Sequence, residues 1–538
     1  MRFSLRTSGR RTGLAVSLAP AAMLVLTLFL AASVQEETPR PKPGGELRVR
    51  PYGSALNTDL DPAGNGYSLV VANLYEGLVR LDQNLNVVPG LADYWSVSES
   101  GRKVTFYLRK QAVFHNGQPV TASDVKFSYQ RLFQLKSRPV FYEFASRIEG
   151  GEEFWRGAAS EVSGLRVVDD KVLEIYWKQP GITNFYFLAA GFAGILPAGP
   201  VQSQKKRFFD RPVGAGPFKF DYWLRDRRLN IIGVRLARND NYFTRKPFLE
   251  AVEVSPFFQL DDFFQNEIQI IPYLTFRISR DKYQILESNL LQLNYLFFSC
   301  HLPPFDRPAV RRALQAFIEK RQLAGLASTT ANFCQPMDSY IPPFLPGFMP
   351  EGAWPDQSLS QVLKVLEDSG LGRVDKPLVV RAYFQVTNKD LIPNIYEFLR
   401  EELKPAGIKL ELRSDYSAEE LARDTTPFIF FLEWSPELPD PEFILRPLFH
   451  SGGSPNRELF HYRNPKVDEL LELQKNGLSF ERRVNLFREI EKILQADTPA
   501  LPLFFHKQRL AYQPYLKNLK AQPQGLLCLN LLDVWMDR

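Results

Sequence analysis

At 538 residues the chain is too long for a single hydrophobic core, and 45% hydrophobic with 23% charged residues is ordinary soluble globular composition. The formal charge is +6, but Arg2, Arg6, Arg10 and Arg11 fall in a leader without acids, leaving +2 for the remainder and no case for nucleic-acid binding. Cys300, Cys334 and Cys528 stand far apart without a CxxC, which argues against a metal site or a disulfide scaffold and leaves a single disulfide open.

Residues 1–35 read as a secretory signal peptide or an N-terminal membrane anchor. A basic stretch ending at Arg10-Arg11 precedes an almost uncharged apolar run over 14–34, and Ala31-x-Ser33 would serve as a cleavage site. The run is long enough to span a bilayer if it is not cleaved. No Cys lies near its end, which excludes a lipoprotein anchor, and either fate exports the body. Residues 36–45, rich in Pro, Gly and charge, read as a linker.

Ordered sequence begins with an alternating strand over 46–49. Residues 67–78 have helical spacing with Gly77 as a stop, and 103–109 alternate as a strand. Thr121 and Asp124 should cap a helix running to Leu132, because their side chains can satisfy free first-turn amides. Strands are expected over 172–177 and 229–235, and an amphipathic helix over 306–320. Residues 377–412 read as strand, helix, strand, which implies parallel strands joined by a right-handed crossover. The apolar run 428–431 suits the middle of a parallel sheet, and 480–496 is an amphipathic helix.

Catalytic constellations are missing from the sequence. The 5 histidines (115, 301, 450, 461, 506) show no HExxH spacing, and there is neither a GxSxG elbow nor a GxxxxGK[ST] phosphate loop. Gly214-Ala-Gly216 lacks the third glycine of a dinucleotide loop and reads as a tight turn. His450 and His461 flank a glycine-rich loop and read as structural.

Several segments together resemble the dipeptide- and oligopeptide-binding family of ABC-importer solute-binding proteins (family 5). They are Tyr75-Glu-Gly-Leu78, Pro89-Gly-Leu-Ala92, Trp95, residues 104–109, and the run from Phe114 to Val125. Further matches are residues 212–218, 238–242, 304–314 and 462–468, then Leu501-Pro-Leu503. Order and spacing are kept from about Gly45 to the C-terminus. Most of these residues serve the fold: Gly117 and Pro119 shape a turn, and Gly214 and Gly216 allow close backbone passage.

The resemblance implies an α/β, two-lobed periplasmic-binding-protein fold, type II-like, with a hinge between the lobes. Lobe one would hold 46–258 with a return segment 506–538, and lobe two 259–505. It also implies a monomer without cofactor or metal, which carries a short peptide to an ABC permease outside the cytoplasm. Other solutes (a nickel complex, haem, an oligosaccharide), an anchored sensor without importer and an exported hydrolase are the alternatives.

The ligand-binding candidates lie in residues 433–441, directly after the apolar strand, where α/β proteins place ligands. By the resemblance Trp434 becomes the aromatic wall of the cleft and Glu437 the acid that receives a peptide's amino terminus, with Glu in place of the relatives' Asp. The simpler reading is a solvated Glu437, with Asp440-Pro441 starting the next helix. Asn266-Glu-Ile-Gln269 and Ser299 also depart from the family pattern.

Overall fold

A computed structural model describes residues 40–538 except 53–55, 57, 66–67, 274–277, 330–331, 351–353, 355–357, 476–478, 522–524 and 526–528. The leader expected over 1–35 and Cys528 lie outside the described residues. Among those described, no helix is long and apolar enough to cross a membrane.

An 11-stranded sheet runs through the molecule. Across it come Ile408–Leu412, Leu378–Gln385, Phe428–Trp434, Gln284–Phe298, Ala500–Tyr512, Ile270–Pro272, Glu46–Val49, Ala251–Val254, Ile231–Arg238 and Phe218–Arg225. Asn332–Pro336 also pairs with Ala500–Tyr512. The two long members pair antiparallel from Gln284 opposite Tyr512 to Phe297 opposite Ala500. One end of this ribbon meets Ile270–Pro272, which itself pairs with Glu46–Val49; the other end meets Phe428–Trp434. The ribbon therefore belongs to both lobes, and the chain has the two-lobed α/β periplasmic-binding fold.

Lobe two explains the apolar run at 428–431. Phe428–Trp434 pairs parallel with Leu378–Gln385 and antiparallel with Gln284–Phe298. Its side chains alternate, so Ile429 and Phe431 enter one core while Phe428, Phe430 and Leu432 enter the other. Helices Pro308–Gln315, Leu359–Asp368 and Ile392–Leu403 cover the first face. Helices Glu442–Phe449, Pro465–Leu473 and Phe480–Asp497 cover the second. A strand buried on both faces has no use for polar alternation.

Lobe one adds a four-stranded antiparallel sheet in the order Ala92–Val97, Lys103–Leu108, Val172–Tyr176, Leu165–Asp169. Helix Ala122–Leu135 packs nearby. The expected capping box is formed, the Thr121 side chain accepting from the Asp124 N–H and the Asp124 carboxylate accepting from the Thr121 N–H.

Two expected helices differ. The one read over 67–78 is Leu69–Leu74, capped by Ser68 and ended by extended backbone at Tyr75. Gly77 is small for another reason: a Cβ there would come within 2.9 Å of the Val79 carbonyl and 3.2 Å of the Leu188 carbonyl. The helix read over 306–320 is split into Pro308–Gln315 and Lys320–Ala327. Proline fixes the start of the first by holding Arg307 extended, and Glu319 caps the second by accepting from the Arg321 N–H.

Candidate functional site

The loop after Trp434 lies where the lobes meet. Leu438 and Phe443 leave lobe two and are buried in the core of lobe one, with Phe443 5.6 Å from Phe187 between ring centroids. In return, Leu85 reaches from lobe one to pack against the core of lobe two. Leu85 has φ 64°, and the preceding Asp82 carboxylate accepts the Asn84 and Asn86 N–H groups, which shapes the turn. Each lobe thus lends apolar side chains to the other, so the boundary is a packed contact and not two facing surfaces.

Charge fills the same boundary. The Asp440 side chain is fully buried and accepts both Nη groups of Arg483, at 2.8 and 2.7 Å. Arg483 also donates to the Thr183 hydroxyl of lobe one at 3.1 Å. Glu442 is buried beside them, 3.0 Å from Arg147 of lobe one and within 4 Å of Arg446 and Arg483. Burial alone would raise the Glu442 carboxyl, but the guanidinium groups of Arg147, Arg483 and Arg446 overcome it and hold it at about 2. Glu442 therefore stays ionised. Arg147 and Arg446 have further carboxylate partners in Glu143 and Glu472, whereas Asp440 is paired to Arg483, whose loss leaves that buried carboxylate without a counter-charge.

The two ligand-binding candidates sit at the edge of this cluster. Trp434 is half-buried against the lobe-two core, and its indole N–H donates to the Phe443 carbonyl at 2.9 Å. It steadies the start of the loop. Glu437 forms an ion pair with Arg138 of lobe one. Glu437 is not simply solvated, and Asp440 does more than start a helix: one oxygen accepts the Glu442 N–H at 2.9 Å while both bind Arg483.

A cavity of about 490 Å³ opens along the same boundary. It is lined by Gln83, Asn84 and Leu85 of lobe one, Glu287, Ser288, Asn289 and Lys507 of the crossing ribbon, and Phe344. The Tyr186 hydroxyl connects it to the charged loop, donating to the Leu85 carbonyl at 3.5 Å while lying within electrostatic reach of Asp440 and Arg483.

Other residues singled out by sequence serve the frame. Ser299 is buried, and its hydroxyl accepts the Phe428 N–H at 3.0 Å. Gln269 is buried beside Glu46–Val49 and accepts the Arg48 N–H at 2.8 Å. His115 accepts the Gly214 N–H at 3.1 Å and pairs with the Gly216 carbonyl at 3.0 Å, while a Cβ on Gly214 would fall 2.0 Å from the Leu74 carbonyl. His506 lies 3.6 Å from the Cys334 sulfur, both buried. His450 accepts the Gly452 N–H at 2.9 Å, and His461 stands edge-on to His301 at 4.3 Å. No group of three metal-ligating side chains occurs among the described residues.

Sequence reasoning missed Arg138, Arg147, Thr183 and Arg483. Only Arg483 carried a local signal: it stands four residues before Phe487 and seven before Ile490, on the buried stripe of its helix.

A two-lobed α/β molecule, with a ribbon crossing between the lobes and a cavity at their boundary, is built as a binding protein. Residues 86–456, more than half of the chain, match the family model of bacterial extracellular solute-binding proteins, family 5. The chain belongs to that family, and it is related to the binding components of peptide ABC importers. It is 24% identical to the dipeptide-binding protein DppE of Bacillus subtilis over 486 residues, 86% of each chain. It is likewise 24% identical to the dipeptide-binding protein of Escherichia coli over 554 residues, 97% of each. The fold is similar to that of HbpA2 from Haemophilus parasuis, with TM-score 0.75 at 20% identity, covering 92% of this chain and 100% of the other.

Proposed function

We infer that the chain captures a short peptide between its lobes and delivers it to an ABC permease as a non-catalytic, monomeric, exported component. Lobe one is taken as 46–258 with 506–538, and lobe two as 259–505. The observation that carries this reading is the position of Glu437: a carboxylate at the end of a sheet strand, at the lobe boundary, already engaged by a cation from the other lobe. A carboxylate in that setting recognises an ammonium through charge-assisted hydrogen bonds. The names of the two dipeptide-binding relatives and the boundary cavity support a small peptide as the solute.

Binding follows from the hinge. A solute that touches both lobes favours the closed arrangement, and the permease reads that arrangement. Side-chain variety is met by water in the cavity, so the peptide backbone and amino terminus carry the affinity.

The test is thermal melting of the purified protein against di- and tripeptides, their N-acetylated forms, sugars and a nickel complex. A solute that binds only the folded state raises the melting temperature by mass action. Stabilisation by peptides that is lost on acetylation supports the reading. Stabilisation by sugars or nickel alone overturns the peptide assignment. Glu437→Gln should weaken peptide binding by about 1.5–3 kcal/mol, the range for a lost hydrogen bond to a charged group.

A further inference from the structure

Arg138 is held by lobe one and points out of it. Its Nη1 donates to the Ala63 carbonyl at 3.3 Å, and its guanidinium lies 5.4 Å from the Phe141 ring centroid and 5.5 Å from that of Phe192. Its Nη2 is left to meet Glu437 across the boundary. A second ion pair, Arg147–Glu442, also crosses the boundary near this loop, and the two differ in access to water. Glu442 is 2% exposed and enclosed by Arg147, Arg446 and Arg483, so an incoming solute does not reach it. The side chains of Arg138 and Glu437 are 22% and 36% exposed, so water and solute reach them.

A guanidinium and an ammonium are alternative partners for one carboxylate, since both donate charge-assisted hydrogen bonds. We propose that Arg138 is the resident counter-ion of Glu437: it occupies the carboxylate in the empty protein, and the ammonium group of an incoming solute takes its place. Arg138 thereby determines specificity from the opposite lobe. This inference rests on Glu437 being the amine-binding acid.

The exchange has a consequence for the solute. The displaced guanidinium stays tethered to the Ala63 carbonyl and the two phenyl rings, facing whatever has entered. A solute that brings only an ammonium places a second cation beside it. A solute that also brings a carboxylate neutralises it. The boundary therefore selects zwitterions over simple cations.

The experiment titrates trialanine, trialanine amide and N-acetyl-trialanine into the full-length protein by calorimetry, with Arg138→Gln, Arg138→Lys and Glu437→Gln alongside. The wild type should bind trialanine at least tenfold tighter than the amide. Arg138→Gln should bring that ratio close to one by improving the amide, and Arg138→Lys should keep most of it. In the peptide-free protein, Arg138→Gln should also speed amide hydrogen exchange in residues 434–443 several-fold, since the loop loses one of its ties to lobe one. An unchanged ratio and unchanged exchange in Arg138→Gln, with binding still lost in Glu437→Gln, overturns the counter-ion and leaves the amine site standing. Binding indifferent to Glu437→Gln overturns both.

Discussion

Glu442 and Glu491 are both buried carboxylates of lobe two, and their surroundings drive them in opposite directions. Glu442 lies at the lobe boundary among Arg147, Arg446 and Arg483, which hold its carboxyl at about 2 against the effect of burial. Glu491 lies inside the lobe, on helix Phe480–Asp497, where burial pushes its carboxyl up to about 7. Its relief comes from neutral donors, the Tyr340 N–H at 2.8 Å and the Gln495 amide at 3.2 Å. Burial is common to both, so the arginines make the difference. At the boundary Glu442 keeps its charge at ordinary pH, whereas in the lobe interior the Glu491 carboxyl is pushed up to about 7.

The largest expected effect comes from breaking the boundary network. Arg483→Met leaves Asp440 buried and unpaired, and should cost about 3–5 kcal/mol of folding free energy in urea titration. A loss below about 1 kcal/mol would mean that water reaches Asp440 and that the boundary opens more readily than its packing indicates. Replacing Asp440 and Arg483 together by apolar residues should recover much of that loss, because two desolvated charges disappear at once.

Removing Glu442 tests the same region through pH. Its folded carboxyl lies below the ordinary 4.5, so its contribution to stability is present above that value and is lost as pH falls from there through about 2. Glu442→Gln should cost about 2–3 kcal/mol at pH 7 and flatten the acid limb of stability against pH. An acid limb as steep in the variant as in the wild type would remove Glu442 as its source.

Glu491 should show the opposite slope. Its folded carboxyl lies above 4.5, so ionisation opposes folding, and stability falls as pH rises from 4.5 through about 7. Glu491→Gln should therefore be more stable than the wild type by about 1–3 kcal/mol at pH 8, with the advantage shrinking toward pH 5. Melting temperatures at the two pH values decide it, and a constant difference would place water beside Glu491 that keeps it ionised throughout.

These sites differ as much in how far the sequence revealed them. Features set by neighbours in the chain were legible: the Thr121 box, the parallel unit ending at Leu412, the apolar strand before Trp434. Where local signals competed, they misled. Gly77 was read as a helix stop although its smallness answers to the carbonyls of Val79 and Leu188, and the helix over 306–320 hid a break before Lys320. The boundary charges were out of reach because their partners are remote. Glu437 and Arg138 stand 299 residues apart, and no periodicity links a loop carboxylate to an arginine on another lobe. Asp440 and Arg483 are 43 apart, and only the place of Arg483 on an apolar stripe hinted at burial.

The smallest expected effect belongs to the most legible feature, and it calibrates the others. In Thr121→Ala the Asp124 N–H loses its hydroxyl acceptor at 3.3 Å, and the Asp124 carboxylate loses the hydroxyl donor at 2.7 Å. The carboxylate keeps the N–H groups of Thr121 at 3.0 Å and Ala198 at 2.9 Å, so the helix start is weakened and not abolished. The cost should be about 1 kcal/mol, as for other N-cap threonines, read as a small shift in the urea midpoint with the slope unchanged. A loss as large as that of Arg483→Met would mean that helix Ala122–Leu135 and the boundary it supports unfold as one unit. In that case the local cap and the remote charge network would not be independent, since damage at either would be felt at both.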